Sequence, residues 1–216
     1  MPAPEPGHRH PPAHPLRKTA RRYAPHGGVH YLTFSCCKRL PLLGNAAIRD
    51  DFASALAAAR LRHRYHLVAW VAMPEHVHII LVPTSADSPT RPGEAGDPLP
   101  VILNGLKKPF STRVLKRWRQ VGWSKLALLT DARGRARYWQ PGGGFDRNVR
   151  DIHELAREVR YIHRNPVKRG LVNCSTDWPW SSARSYAGCK SQDPPVDPIR
   201  FDGYDFPGPW PEWYAG

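Results

Sequence analysis

The chain has 216 residues and a formal charge of +14, with 32 lysines and arginines against 18 acids. That length allows one domain with a sizeable core, and 24 prolines beside a 41% hydrophobic fraction suggest a folded centre with irregular ends. No apolar run approaches the ~18 residues of a membrane span, and the excess of arginine points to nucleic acid, whose phosphates match guanidinium forks.

Residues 1 to 27 are Pro- and His-rich and then basic, through Arg17, Lys18, Arg21 and Arg22. They read as a disordered arm that either touches a phosphate backbone or only aids solubility, and not as an apolar secretion signal. His30 to Lys38 is rich in β-formers and predicts a first strand. Asn45 can cap a helix running to about Arg64. His66 to Met73 predicts a second strand, and Pro74-Glu75 turns it into a third beginning at His76. Both strands are strongly apolar, which predicts places at the sheet centre. Side chains alternate along a strand, so His76 and His78 share a face while Val77, Ile79 and Leu81 take the other. Two imidazoles side by side on a strand can grip a divalent cation, although such triplets also arise as plain surface histidines.

The run 84–98 is rich in Pro, Gly, Ser and Asp and predicts a loop. Leu99 to Arg119 carries apolar residues at helical spacing, with Pro109 predicting a break or kink. Between them lie Lys107, Lys108, Arg113, Lys116, Arg117 and Arg119 with no acid, a surface suited to phosphates. Residues 121–137 support no assignment. Tyr138 to Val149 predicts a strand bent by Gly142 to Gly144; the triplet lacks the Lys-Ser/Thr ending of a phosphate-binding loop.

Asp151 opens a helix, and Glu154 three residues later completes a capping-box-like start. On a helical wheel Leu155, Ala156, Val159, Ile162 and His163 fall within about 80° of Ile152 and form the core stripe. His163 therefore reads as a packed histidine. Tyr161 falls near roughly 180°, Asn165 near roughly 220° and Glu158 near roughly 240°. An aromatic away from the core either has a function or packs on a neighbouring sheet with its hydroxyl in water. Pro166 predicts the helix end, followed by a basic turn with Lys168 and Arg169. Trp178-Pro-Trp-Ser-Ser182 predicts an aromatic turn packed under that helix. Residues 191–216 hold five acids against one base, with Trp210, Trp213 and Tyr214 favouring a tail that docks on the basic body. None of Cys36, Cys37, Cys174 and Cys189 forms a Cys-x-x-Cys pair, which leaves no zinc ribbon and no disulfide framework and suits reduced thiols in a cytoplasm.

Three ordered motifs carry a resemblance: Met73-Pro-Glu-His-Val-His78, Tyr161-Ile-His-Arg-Asn-Pro-Val-Lys-Arg-Gly-Leu171 and Asp177-Trp-Pro-Trp-Ser-Ser182. Over about Tyr31 to Tyr186 the chain resembles the HUH single-tyrosine transposases, and among them the bacterial REP-associated tyrosine transposases. The resemblance implies an α+β, ferredoxin-like (RRM-like) antiparallel sheet with helices on one face and a tyrosine helix near the His-x-His strand. It implies a domain over 28–190 between the arm and the tail. It implies Tyr161 as nucleophile, His76 and His78 as metal ligands, and Asn165 as third ligand with Glu158 the alternative. Mg2+ or Mn2+ is the expected metal. The implied activity is cutting and rejoining single-stranded DNA at hairpin-flanked repeats through a 5′-phosphotyrosine, by a monomer or homodimer in the bacterial cytoplasm, at the nucleoid. Lys107, Lys108, Arg113, Lys116, Arg117, Lys168 and Arg169 are the expected DNA contacts. A non-catalytic nucleic-acid-binding protein with the same fold is the alternative, and a phosphodiesterase using activated water a third.

Overall fold

The computed structural model describes residues 28–84, 98–142, 144–189 and 194–206. The arm, most of the 84–98 loop and the last Trp-rich residues lie outside them. The elements are β1 (Val29–Ser35), α1 (Ala46–His63), β2 (Tyr65–Ala72), β3 (His76–Pro83), α2 (Leu99–Gln120), β4 (Phe145–Val149), α3 (Ile152–Lys168), α4 (Ala183–Tyr186), β5 (Ile199–Phe201) and β6 (Tyr204–Phe206). The first four strands form one antiparallel sheet in the order β2-β3-β1-β4. With α1 and α2 as the crossovers, this is the ferredoxin-like arrangement expected from the sequence. Among the described residues no helix is long and apolar enough to cross a membrane.

Alternation along the strands divides the core in two. Leu32, Phe34, Trp70, Val77, Ile79 and Leu81 face α1 and α2, where they meet Phe52, Leu56, Leu106 and Phe110. Val29, Tyr31, Val71 and Ile80 face the other way, against Ile152, Leu155, Val159 and Ile162 of α3. The caps read from the sequence form: the Asn45 side chain accepts from the Ala47 N–H, and the Asp151 side chain from the Glu154 N–H. Glu154 itself reaches back to the Arg150 N–H, one residue before the cap.

Four expectations are corrected. Strand β2 is at the sheet edge rather than its centre. It is apolar because its outer edge is covered: the Ala72 N–H donates to the Trp180 carbonyl, the Ser182 N–H to the Trp70 carbonyl, and Leu67 exchanges bonds with Asp197. Helix α2 runs through Pro109, held by Phe110, Val114, Leu115 and Trp118, all buried beyond it. Helix α3 runs through Pro166, itself buried, to Lys168. Of the span Tyr138 to Val149, the strand is only Phe145–Val149, while Trp139 makes a single bridge to Cys36. The expected aromatic turn does pack beneath α3, with Trp178 buried in that half of the core. The described part of the acidic tail also docks, with Asp197 paired to Arg60 and Ile199 and Phe201 against the same half-core.

Candidate active site

The Pro74-Glu75 turn is fixed by backbone bonds, with the Met73 N–H donating to the His76 carbonyl, Leu43 N–H to the Pro74 carbonyl and Cys36 N–H to the Glu75 carbonyl. Strand β3 therefore starts in a defined register between β2 and β1. His76 and His78 project from the α3 face, 7% and 5% exposed, and their Nε2 atoms converge to 2.9 Å.

Each imidazole is held from behind. The Glu75 carboxylate accepts from His76 Nδ1–H at 3.1 Å, which leaves Nε2 as a lone pair. Arg169 donates to Glu75 at 2.6 Å. Burial would raise the Glu75 carboxyl, but Arg169 and His76 bring it below the ordinary value. His78 Nδ1 lies 2.8 Å from the Tyr31 hydroxyl and 2.7 Å from the Thr33 hydroxyl. Register explains both: Thr33 is directly opposite His78, and Tyr31 lies two residues along the same face. Burial, and then His76, pull His78 down to about 3, and burial lowers His76. Both rings are thus neutral near pH 7, as metal ligands must be. Burial also raises the Tyr31 phenol, which stays protonated.

Two neutral imidazoles with convergent Nε2 atoms fit one divalent cation, since about 2.1 Å per ligand bond places cis ligands roughly this far apart. Among the described residues, no three His, Cys, Asp or Glu side chains gather into a complete set. Asn165 is buried and its amide donates to the Tyr161 carbonyl one turn back, at 3.4 Å. Glu158 lies on the cavity beside His78 but is ion-paired to Arg147 at 2.7 Å.

Tyr161 stands on that cavity with its ring edge-on to His78, centroids 5.5 Å apart. It is 40% exposed, whereas its neighbours Ile162 and Val159 are fully buried. Its ring thus packs on an imidazole of the sheet and stays partly in solvent. The cavity is about 510 Å³ and is also lined by Tyr31, Thr33, Phe145, Arg147 and Arg157.

The seven expected DNA contacts are divided by the sheet. Lys108, Arg113, Lys116 and Arg117 are exposed on α2, the helix packed on the face opposite the histidines, and Arg117 pairs with Asp51. Lys107 is half-buried, its ammonium 5.0 Å from the Phe34 ring, and burial lowers its affinity for the proton. It is not part of an open phosphate-facing surface. Lys168 lies by the candidate site, 5.1 Å from the Tyr161 ring. Arg169 is engaged with Glu75. Sequence reading missed Glu75, Tyr31, Thr33, Phe145 and Arg147. Glu75 could have been found from its place directly before His76, and Tyr31 and Thr33 from the period of β1.

No protein-family model matches the chain. It is 26% identical over 162 residues to the REP-associated tyrosine transposase of Escherichia coli K12, covering 75% of this chain and 80% of that protein. A Haemophilus influenzae protein provisionally given the same name is also 26% identical, over 75% of this chain and 83% of its own length. A solved structure of a REP-associated tyrosine transposase bound to a REP hairpin matches with a TM-score of 0.56 at 23% identity. It covers 88% of this chain and 96% of that one, and the two share a fold.

Proposed function

The chain is a relative of the REP-associated tyrosine transposases, and on that premise we propose that it cuts and rejoins single-stranded DNA at hairpin-forming repeats through a 5′-phosphotyrosine on Tyr161. The observation that carries this reading is the Tyr161 ring 5.5 Å from His78, whose Nε2 converges with that of His76. The proposed place of work is the bacterial cytoplasm, at the nucleoid.

Cleavage begins with Tyr161 Oη attacking the phosphorus as its proton leaves. The bond from phosphorus to the 3′ oxygen breaks, and that oxygen takes up a proton. The products are a free 3′-OH and a 5′-phosphate esterified to Tyr161. One phosphodiester replaces another, so a 3′-OH can reverse the attack and reseal without ATP. A phenol, with its ordinary pKa near ~10, is a better leaving group in that second step than an aliphatic hydroxyl. A divalent cation, Mg2+ or Mn2+, held by His76 and His78 would polarise the phosphate oxygens and offset their charge. Glu75 and Arg169 fix the His76 ring, and Thr33 and Tyr31 fix His78. Arg157, mostly exposed on the cavity wall, offers a guanidinium to the flanking phosphates, Arg147 is shared with Glu154 and Glu158, and Lys168 sets a cation beside the attacking ring. The cavity is open on one side, which suits a single strand laid between sheet and helix.

The test is a denaturing gel with hairpin-flanked single strands labelled on the 3′ side of the cut, with metals varied. Label should transfer to the wild type, map to Tyr161, and be lost in Tyr161→Phe and in chelator. Binding without any adduct under every metal would instead identify a DNA-binding protein that does no chemistry.

A further inference from the structure

Phe145 opens β4 directly opposite Thr33, and its side chain lies on the cavity that holds His78 and Tyr161. It is 51% exposed. A single exposed apolar residue is ordinary on a protein surface. Its surroundings make this one informative: Arg147 and Arg157 line the same cavity together with Glu158, to which both are ion-paired, and Arg157 is mostly exposed. Flat apolar rings interleaved with guanidinium groups are what single-strand binding grooves offer to bases and phosphates.

The backbone that carries the ring is closely constrained. Gly144 just before it has φ +78, and a Cβ there would lie 2.2 Å from the Thr33 carbonyl oxygen. Only glycine lets the chain enter β4 so close to β1. Tyr31 meets Phe145 at 72° with centroids 6.1 Å apart, an edge contact that occupies at most one face of the phenylalanine. Tyr31 in turn stacks on His78 at 5.7 Å. Two ring-to-ring steps therefore separate Phe145 from the imidazole beside the nucleophile.

We propose that Phe145 is a stacking platform for one nucleobase of the DNA strand, and that this contact sets which phosphate reaches Tyr161. The inference rests on the single-strand cleavage reading and adds the seat that fixes register. Stacking accepts any base, because every base has a π-face, but it requires that a base be present. Phe145 is thus a positioning residue and does not touch the reacting atoms.

The experiment scans abasic substitutions along a labelled single strand, with binding read in a Tyr161→Phe background where no adduct forms. One abasic position near the cut should weaken binding by about 5- to 150-fold, the range of a stacked base. Adding Phe145→Ala should abolish the sensitivity at that position and leave all others unchanged. Phe145→Trp should keep it, and Phe145→Leu, which retains apolar bulk, should not. With Tyr161 restored, Phe145→Ala should spread cleavage over neighbouring phosphates. An abasic profile that is the same with and without Phe145, or one that Phe145→Leu preserves, overturns the proposal. Wild-type protein that binds strands with this profile but never forms an adduct would instead remove the cleavage reading and leave the platform standing.

Discussion

Removing the Glu75 carboxylate should weaken metal binding at His76 and His78 without unfolding the protein. The carboxylate accepts from His76 Nδ1 at 3.1 Å and is only 10% exposed, so little water competes for the imidazole. Its other partner, Arg169, is half exposed, so that arm of the network is screened and contributes less than about 1 kcal/mol. Carboxylates behind a ligating histidine typically add 10- to 100-fold in metal affinity, about 1.4–2.7 kcal/mol. Glu75→Gln keeps an acceptor for Nδ1–H but loses the charge, and should cost about 10-fold. Glu75→Ala removes the acceptor and should approach about 100-fold, whereas Arg169→Ala should stay under about 5-fold. The turn should survive, since the bond it needs runs from the Cys36 N–H to the Glu75 backbone carbonyl. The assay is Mn2+ binding to protein without DNA, read by the electron paramagnetic resonance of the free ion, with thermal melts alongside. Equal Mn2+ affinity in wild type and Glu75→Ala would refute the reasoning.

His76→Ala and His78→Ala should each abolish strand cleavage while a thermal transition remains; full cleavage by both variants in chelator would sink the ligand assignment. Reversing the charge of Lys108, Arg113 and Lys116 together should weaken DNA binding and flatten its dependence on log salt by about 2, at roughly −0.7 per lost contact on single strands. Unchanged affinity at low and moderate salt would remove α2 as a binding face. Acid stability should report His163, buried with its Nε2 2.9 Å from Ser182 Oγ and pulled by burial down to about 3. Its unfolded value is near ~6.5, so the unfolded chain binds the proton first; stability is full above that pH and falls by about 1.4 kcal/mol per unit below it, until pH nears the folded value. His163→Gln should flatten the urea midpoint against pH between about 6 and 4, and parallel curves would count against it.

The elements that depend on local chemistry were legible. Enrichment in β-formers and strongly apolar runs gave the strands, and Asn45 and Asp151 gave two helix starts. What depends on distant chain was not. β2 looks central because both its faces are apolar, yet its neighbours on the outer edge are Trp180, Ser182 and Asp197, more than a hundred residues later. The proline penalties were real but local. A proline inside a helix costs about 3 kcal/mol or more, and in α2 the burial of Phe110, Val114, Leu115 and Trp118 beyond it contributes more.

The site was half legible for a similar reason. Two histidines on one strand face follow from the pleat alone. The pairing partners that hold them do not, because Tyr31 and Thr33 reach His78 through the β1–β3 register. The helical wheel put Tyr161 opposite the core stripe and so away from the sheet, whereas its ring lies at His78. Helix α3 packs along the edge strand β2, through Val68, Ala69 and Val71, so one of its flanks looks along the sheet toward β3. The buried side of the helix consequently widens to take in Asn165, which the wheel places among polar positions. Tyr161 sits at the rim of that flank, anchored by a buried stripe yet half in solvent. That placement divides the labour between two rigid elements. The strand holds two imidazoles out of water in fixed orientations, while the helix presents a phenol at the cavity mouth.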